Sequence, residues 1–355
     1  MKLKLEKEMY SQGKTEGKSF TSLLHGMNGG AGEVEPDYYL ESARKKRNNV
    51  QLSEKDFKLD AFELQLMEHG LTVSGAEASL VEDFYRTNDS RVLFPEFINR
   101  QVLLGMESGR NACQITDLVA NTRDINSVSY DSISATLSST QKGAYRVGES
   151  GSFPKIVLSF AERSIKLEKF GHEIDITAEV LRRMAIDQLA VHLQLIGARL
   201  RTDIVSWAIY VLINGDGNSN AAPVTTLSGL NYDGLITFDQ DFEDFEPDVW
   251  IATKAGMAVI LKLPEFKDPQ AGFNYQQTGK MISPLGVTLR KASAVAADTL
   301  IGVDRSAALE MVREAGSQLT ESDKIIDKQL ARTVISQVAG FAKIYTNASR
   351  VWNYA

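Results

Sequence analysis

Two glycine-containing motifs come closest to sequences that carry out catalysis. Gly13 to Ser19 (GKTEGKS) resembles a phosphate-binding loop, but three residues separate its glycines where that loop needs four, and no buried strand precedes it. Gly148 to Ser152 (GESGS) resembles the nucleophile elbow of a hydrolase, but Ser152 stands where the last glycine is required. We therefore predict that the chain is not an enzyme and binds no cofactor.

Oxygen ligands for a metal ion are concentrated in the middle of the chain. Asp216, Asn218 and Asn220 have the spacing of a calcium-binding loop. Ala221 and Leu227 stand where such a loop needs a glycine and a bidentate glutamate, so the pattern fails.

An acidic stretch without a basic residue follows at positions 239–248. Its carboxylates could bind a divalent ion or act in acid–base chemistry. Three phenylalanines, Phe238, Phe242 and Phe245, instead favour an amphipathic first helical turn with a solvated acidic face.

Cysteine and histidine offer little further chemistry. Cys113 is the only cysteine, which excludes an intramolecular disulfide and a cysteine-rich zinc site, and we expect a buried, inert thiol. The four histidines lie far apart, and His192 is expected to pack on the apolar face of a long helix. We therefore predict no metal site.

The composition is that of an ordinary globular chain. Its 355 residues are 43% hydrophobic and 24% charged, with a formal net charge of -7. Met1 to Tyr10 lack the apolar core of a signal peptide, and no stretch reaches the roughly 18 apolar residues of a membrane span. We predict that no membrane is involved.

The strongest basic run is RKKR, formed by Arg44, Lys45, Lys46 and Arg47. It could contact the phosphates of DNA, and a solvated arm is an equally good interpretation. Residues 1–60 carry one more basic than acidic side chain, whereas residues 215–306 carry five more acidic than basic ones. The acidic surplus is therefore concentrated in the later segment, and DNA need not repel the start of the chain.

Two elements of the first half have recognisable patterns. The apolar residues of segment 1–110 are dispersed, which predicts short helices in an arm that lacks an independent core. Residues 128–170 alternate as strands on either side of a Ser- and Gly-rich stretch, which predicts a long β-hairpin. Such a hairpin has little core of its own and needs a partner surface.

A long helix over residues 178–213 is the strongest local signal. Thr177 is a good N-cap, an apolar face that includes Leu200 and Trp207 recurs at three- and four-residue steps, and Asn214-Gly215 ends the pattern. The helix would be about 54 Å long. We predict that this spine helix organises the fold.

The remaining sequence predicts short elements of both kinds. Strands are expected at 249–252, 287–290, 299–303, 341–345 and 350–354, and helices at 254–262, 306–313 and 324–339.

The order of these parts resembles the major capsid protein of tailed bacteriophages, which has the Hong Kong 97-like fold. The resemblance runs from about residue 90 to the end. Its segments are AYRVGESGSFP at 144–154, DITAEVLRRMAIDQLAVHLQLIGARL at 175–200, INGDG at 213–217, SGLN at 228–231, SPLGVTL at 283–289 and TLIGVDRSAALEM at 299–311. The INGDG turn after a long helix, downstream of a hairpin that ends in proline, is the most specific of them.

The resemblance implies an α+β fold with four parts. They are an N-terminal arm (1–110), an extended loop (128–170), a peripheral domain (111–127, 171–214 and 307–344) that carries the spine helix, and an axial domain (215–306 and 345–355).

The resemblance also implies a mechanical function. Copies of the chain would assemble into hexamers and pentamers of an icosahedral head that encloses double-stranded DNA, and each hairpin would lie over a neighbouring copy. The expected partners are other copies, the DNA, a portal and a separate scaffolding protein, with a decoration protein as a further candidate. The expected location is the virion, after assembly in the bacterial cytoplasm. The alternative is an encapsulin-like shell, which encloses cargo enzymes.

Candidate contacts between subunits lie on the hairpin: Lys142, Tyr145, Arg146, Glu149, Phe153 and Lys155. Some family members join subunits through a Lys–Asn bond that a glutamate promotes. The resemblance puts Phe153 in place of that lysine, and Leu330 and Gln337 in place of the asparagine and the glutamate. We therefore predict no covalent crosslinking.

The sequence begins at Met1, whereas many relatives lose an N-terminal scaffolding segment during maturation. We expect no such cleavage here, which is why a separate scaffolding protein is expected.

Overall fold

The computed structural model describes residues 3–27, 32–48, 50–75, 77–109, 111–127, 129–131, 133–135, 149, 158–160, 163–242, 244–267, 285–314, 319–325 and 330–355. The chain forms two compact units. The first comprises Met1–Arg110, Lys169–Asp203 and Ala315–Val338, and the second comprises Asn111–Glu168, Ile204–Glu314 and Ala339–Ala355.

Helices and strands both contribute to each unit. In chain order the α-helices are α1 Glu8–Glu16, α2 Phe20–Gly26, α3 Tyr38–Arg47, α4 Ala61–Glu68, α5 Asn88–Met106, α6 Ala178–Arg183, α7 Ile186–Asn214, α8 Tyr232–Gln240, α9 Lys254–Ile260 and α10 Pro264–Lys267. The strands are β1 Val119–Ile125, β2 Ser129–Tyr130, β3 Ile133–Ala135, β4 Leu158–Phe160, β5 Ile165–Lys166, β6 Glu168–Thr177, β7 Val224–Thr225, β8 Val249–Ala252, β9 Thr288–Lys291, β10 Thr299–Val303, β11 Leu309–Glu314, β12 Leu319–Ile325, β13 Leu330–Lys343 and β14 Ser349–Asn353.

The first 110 residues form a packed group of helices, which differs from the expected arm without a core. Helices α1 to α4 contact one another and α5, and they bury Leu24, Phe62, Phe84 and Phe97. Each short helix contributes only one or two large apolar side chains, so these residues look dispersed in the sequence although folding brings them together.

A buried charge cluster lies at the centre of this helical group. The guanidinium of Arg100 on α5 is 2.7 Å from a carboxylate oxygen of Asp60 and 3.3 Å from one of Glu96. The rings of Tyr39 and Phe62 lie 4.5 Å and 4.3 Å from it. Since a buried charge is tolerated only when it is paired, Arg100 makes the burial of both acids possible.

The N-terminal helix is attached to α5 at the position of Pro95, which lies inside that helix. The hydroxyl of Tyr10 donates to the carbonyl of Val92 at 2.7 Å and accepts the N–H of Glu96 at 3.2 Å. Proline disturbs the helix around it. The Tyr10 hydroxyl therefore supplies hydrogen bonds to backbone groups that a regular helix would pair with each other.

The predicted single spine helix is wrong at its beginning, because α6 and α7 are separate helices. Met184 has an extended backbone (φ -83°, ψ 131°). Ala185 forms a β-bridge with Leu80, and the N–H of Val81 donates to the carbonyl of Met184 at 3.0 Å. The segment at Leu80 and Val81 therefore pairs with Met184 and Ala185, whose backbone groups a continuous helix would pair internally.

The two predicted ends of the helical region are present. The Thr177 hydroxyl accepts the N–H of Val180 and caps α6 rather than the long helix. Helix α7 ends at Asn214, and Gly215 follows in the left-handed region at φ 84°. The 29 residues of α7 span about 43 Å.

The apolar face of α7 differs from the prediction at His192, which is exposed. The true face passes through Leu193, one residue and about 100° further round the helix. On the other face Val191 and Leu195 are 66% and 52% exposed. Within the first unit the buried apolar positions are Ile186, Leu189, Leu193 and Leu200.

Two glycines let α5 and α7 approach each other closely. A Cβ atom on Gly197 would collide with the carbonyl oxygen of Val102, and one on Gly105 would collide with that of Gln194. The crossing therefore depends on the absence of side chains at both positions.

Residues 306–313 and 324–339 were predicted as helices, and the described part of both segments consists largely of strands. In the second unit β11 pairs parallel with β1 and antiparallel with residues 339–343 of β13. In the first unit residues 330–336 of β13 pair antiparallel with β12. Four consecutive residues of β11, 309–312, are buried. Pairing and burial on both faces of the sheet override the helical propensity of Ala, Leu and Glu.

The second unit contains a five-stranded sheet in the order β7-β14-β10-β8-β9. The predicted strands at 249–252 and 299–303 are present with those bounds. Its core includes Trp250 and Trp352, both with no exposed surface, packed with Phe238 of α8. All five strands come from the segments expected to form the axial domain.

Candidate functional site

The base of the predicted hairpin is present in the second unit. β2 pairs antiparallel with β5, and β3 pairs antiparallel with β4. Glu149 is described as an exposed turn residue. The other proposed contact residues lie outside the described residues: Lys142, Tyr145, Arg146, Phe153 and Lys155.

The turn after α7 is built on left-handed backbone. Gly215, Gly217 and Ser219 have φ values of 84°, 97° and 59°, a region that glycine adopts without strain. This turn brings Asp216 and Asn218 together: one Asp216 carboxylate oxygen accepts the backbone N–H of Asn218 at 3.2 Å and its side-chain amide at 3.0 Å.

The same turn is attached to β13 and to itself. The second carboxylate oxygen of Asp216 accepts the backbone N–H of Lys343 at 3.0 Å. The side-chain oxygen of Asn220 accepts the N–H of Asp216 at 3.0 Å. Asp216 and Asn220, two of the residues with calcium-loop spacing, therefore use their oxygens to accept N–H groups of the protein.

Asn218 connects the turn to the hairpin base. Its side-chain oxygen accepts the backbone N–H of Arg163 at 2.9 Å, and its amide nitrogen donates to the carbonyl of Arg163 at 3.3 Å. Sequence reasoning predicted a turn here from its glycines and asparagines, but it missed this contact. The two residues lie 55 positions apart, and no local pattern signals such a pair.

A second side-chain contact holds the first strand of the hairpin base. The hydroxyl of Tyr130 on β2 donates to Glu310 of β11 at 2.9 Å, and Arg123 of β1 donates to the same carboxylate at 3.1 Å. Glu310 is buried. Burial and the hydrogen bond to the Glu310 carboxylate raise the pKa of Tyr130.

Lys343 fixes the end of α7 from inside the second unit. Its side chain is 2% exposed, and its Nζ donates to the carbonyl of Leu212 at 3.0 Å. This carbonyl belongs to the last turn of α7, where backbone carbonyls have no N–H partner within the helix. Burial lowers the pKa of Lys343 to about 8, although the nearby Asp216 carboxylate acts in the opposite direction.

The basic run lies at the end of α3 and is partly neutralised. Arg44 is 2.9 Å from Glu107, and Lys45 is 3.1 Å from Asp56. Lys46 is exposed and lines a cavity of about 370 Å³ in the first unit. Arg47 is the last residue of α3. Arg44 and Lys45 therefore have acidic partners among the described residues.

The acidic stretch differs from the predicted start of a helix, because α8 ends at Gln240 just after it begins. Phe238 and Phe242 belong to the core of the second unit. Asp241 accepts the hydroxyl of Thr225 at 2.7 Å. Burial raises the pKa of Asp239.

The lone cysteine, possible metal ligands and possible membrane-spanning helices were the remaining features to locate among the described residues. Cys113 is a buried free thiol. Among the described residues, no group of three or more His, Cys, Asp or Glu side chains is placed to hold a metal ion. None of the described helices combines the length and the apolar character that crossing a membrane requires.

Comparison with known proteins gives one family match. A family model described as "Phage capsid protein" matches residues 161–344. No curated protein matches the chain.

The chain also resembles solved structures at low sequence identity. The capsid of cyanophage P-SCSP1u is 12% identical, with 70% of this chain and 90% of that chain covered and a TM-score of 0.49. A structure from Mycobacterium phage Che8 is 14% identical, covers 69% of this chain and 93% of its own, and has a TM-score of 0.48. The virus-like particle from Pyrococcus furiosus is 14% identical, with coverages of 72% and 98% and a TM-score of 0.46.

The matched residues 161–344 are more than half of the chain. They contain α7, the turn that follows it, strands of the five-stranded sheet and the paired strands β11, β12 and β13. The predicted α+β class is confirmed, and the described residues include a long helix, α7, and the base of the predicted hairpin. The chain belongs to the phage capsid protein family.

Proposed function

We propose that this chain is the major capsid protein of a tailed phage, and that its copies assemble into hexamers and pentamers of an icosahedral head around double-stranded DNA. The observation that carries the proposal is the family match over residues 161–344, which contains the long helix and the INGDG turn. The function is mechanical: the subunit binds its own copies and carries out no reaction.

The pairing of the buried charges supports a structural role. Arg100 is paired with Asp60 and Glu96, and Glu310 is paired with Arg123 and hydrogen-bonded to Tyr130. An active site needs groups that are poised to act on a substrate, whereas these groups are occupied in holding elements of the chain together.

Exposed apolar side chains on α7 support self-association. Val191 and Leu195 lie one helical turn apart and expose 66% and 52% of their surface. Burying such side chains against another copy would be favourable by about 25 cal/mol per Å² of apolar area.

The parts of the subunit would divide this work. The hairpin of residues 128–170 would lie on a neighbouring copy, and the axial segments 215–306 and 345–355 would meet at the centre of each capsomer. The exposed Lys46 on α3 and its neighbours in RKKR are the residues proposed to face DNA. A scaffolding protein, a portal and a decoration protein are the further proposed partners, and assembly in the bacterial cytoplasm would precede a place in the virion.

The test is electron microscopy of the purified protein, expressed alone and together with the neighbouring structural genes of its phage. We expect closed shells with hexameric and pentameric capsomers, and DNA in the particles from infected cells. Closed shells filled with a cargo protein would instead identify an encapsulin-like compartment. A small oligomer under every condition would contradict the proposal.

A further inference from the structure

We propose that Asn218 is the positioning residue of the extended hairpin: from the turn after α7 it holds the second strand of the hairpin base in the direction that a neighbouring subunit requires. This inference rests on the proposed function for the role of the hairpin in assembly. The contact between Asn218 and Arg163 lies within one chain and does not depend on assembly.

The side chain of Asn218 forms hydrogen bonds with both backbone polar groups of one hairpin residue, Arg163. It accepts from the N–H of Arg163 at 2.9 Å and donates to the carbonyl of the same residue at 3.3 Å. A side-chain amide that bonds in both directions acts like a neighbouring strand. It therefore fixes the orientation of the backbone at Arg163 as well as its position.

The amide of Asn218 is itself held in place by the turn. Its nitrogen also donates to Asp216 at 3.0 Å, and this bond determines which end of the amide faces each partner. Asp216 in turn accepts the backbone N–H of Lys343, whose side chain donates to Leu212 in the last turn of α7. The hairpin base is thus connected through Asn218 and Asp216 to β13 and to the end of the long helix.

External contacts matter here because the described ladders of the hairpin base are short. β2 and β5 pair over two residues, and β3 and β4 pair over three. Two-stranded hairpins of this kind are marginally stable alone. The first strand is held through Tyr130 of β2 by the buried Glu310, and the returning segment is held by Asn218 at Arg163, two residues before β5. Both strands of the base are therefore fixed by residues outside the hairpin.

The consequence is that the base of the hairpin is oriented before a neighbour binds. A segment that is already held in its bound direction loses less freedom on association. Asn218 is partly exposed and lies outside the apolar core. Its removal should therefore affect the hairpin and assembly far more than the fold of the subunit.

The test compares Asn218→Ala and Asn218→Asp with the control Asn214→Ala in the full chain. Asn214 lies just before the same turn, but its amide donates to Tyr210 within α7. Asn218→Asp keeps the size of the side chain, loses the donor to Arg163 and places a second carboxylate beside Asp216. Comparing the two variants therefore separates the effect of the lost hydrogen bond from the effect of a smaller side chain.

Three measurements are made on each variant: thermal unfolding, backbone hydrogen exchange of residues 158–168 in the unassembled subunit, and shell yield by electron microscopy. For Asn218→Ala we expect hydrogen exchange about tenfold faster at 163–166, as the loss of both hydrogen bonds to Arg163 predicts. For Asn218→Asp, which keeps the acceptor for the Arg163 N–H and loses only the donor, we expect a smaller increase. We also expect shell yield to fall by about tenfold, with an unfolding temperature near that of the wild type. Asn214→Ala should match the wild type in all three.

Unchanged exchange at 163–166 in both Asn218 variants would overturn the inference. Faster exchange together with normal shells would also overturn it, because a loosened base would then have no effect on assembly. If the wild-type protein forms no shells, the proposed function fails, whereas the exchange measurement still decides whether Asn218 holds the hairpin base.

Discussion

At the scale of single residues, the most informative groups are charged side chains that the fold buries. Arg100 and Lys343 expose 4% and 2% of their surface. Arg100 has two carboxylate partners, while the Nζ of Lys343 donates to a backbone carbonyl. Because the partners differ, we expect Arg100 to affect stability through its ion pairs and Lys343 to affect it through pH.

Arg100→Met should strongly destabilise the protein. It would leave Asp60 and Glu96 buried without their cation, which typically costs about 3–5 kcal/mol. The exposed ion pair of Arg44 with Glu107 provides a control, since Arg44→Met should cost less than about 1 kcal/mol. Urea unfolding of both variants measures the difference, and equal losses would contradict the role of the buried cluster.

Lys343 should make stability depend on pH in the alkaline range. Its pKa is lowered to about 8 in the folded protein, from an ordinary value of 10.5. Between these values the unfolded chain binds more protons, so the free energy of unfolding should rise as pH increases, by up to about 3 kcal/mol. Below pH 8 this contribution is absent, because the buried amine must carry its charge.

Lys343→Met should remove this dependence. The measurement is urea unfolding of the wild type and the variant at pH 7 and at pH 10. We expect the stability of the wild type relative to the variant to be higher at pH 10. The same relative stability at both pH values would show that the Lys343 amine is not held at a lowered pKa.

At the scale of elements, the sequence predicted best where local signals act alone. The strands at 249–252 and 299–303 have the predicted bounds, and α7 ends at Asn214, one residue beyond the predicted end at 213. It predicted worst where another segment supplies hydrogen bonds. The helix breaks at Met184 because the N–H of Val81 donates to the carbonyl of Met184 and Leu80 forms a β-bridge with Ala185. Residues 330–336 are a strand because β12 pairs with them.

The contact between α5 and α7 gives a prediction about packing. Gly197→Val should destabilise the protein by about 2–3 kcal/mol, because the new side chain would collide with the carbonyl of Val102. Gly26→Val has open space around its position and serves as the control. Thermal unfolding measures both, and an unfolding temperature of Gly197→Val equal to that of the control would contradict the close approach.

At the scale of the whole molecule, the chain is a capsid family member whose charge is unevenly distributed. The acidic surplus of residues 215–306 contrasts with the nearly neutral first 60 residues. The basic run in that first segment is partly neutralised by Glu107 and Asp56. The proposed contact with DNA would therefore depend less on Arg44 and Lys45 than on the exposed Lys46.

Assembled shells should come apart completely in boiling SDS. The resemblance to the capsid family puts Phe153 in place of the crosslinking lysine, and Leu330 and Gln337 in place of the asparagine and the glutamate. We therefore expect a single band at the mass of one subunit on a denaturing gel. A ladder of higher bands from purified shells would show that subunits are covalently joined by other residues.

The sequence by itself determined the family, the α+β class, the base of the hairpin and the end of the long helix, because each depends on residue order and on short-range patterns. Only the tertiary structure decided that the first 110 residues form a packed helical group and that the spine is divided at Met184. It also decided that Asn218 holds Arg163. Each of these depends on hydrogen bonds or buried contacts between residues far apart in the chain, and no local spacing encodes such pairs.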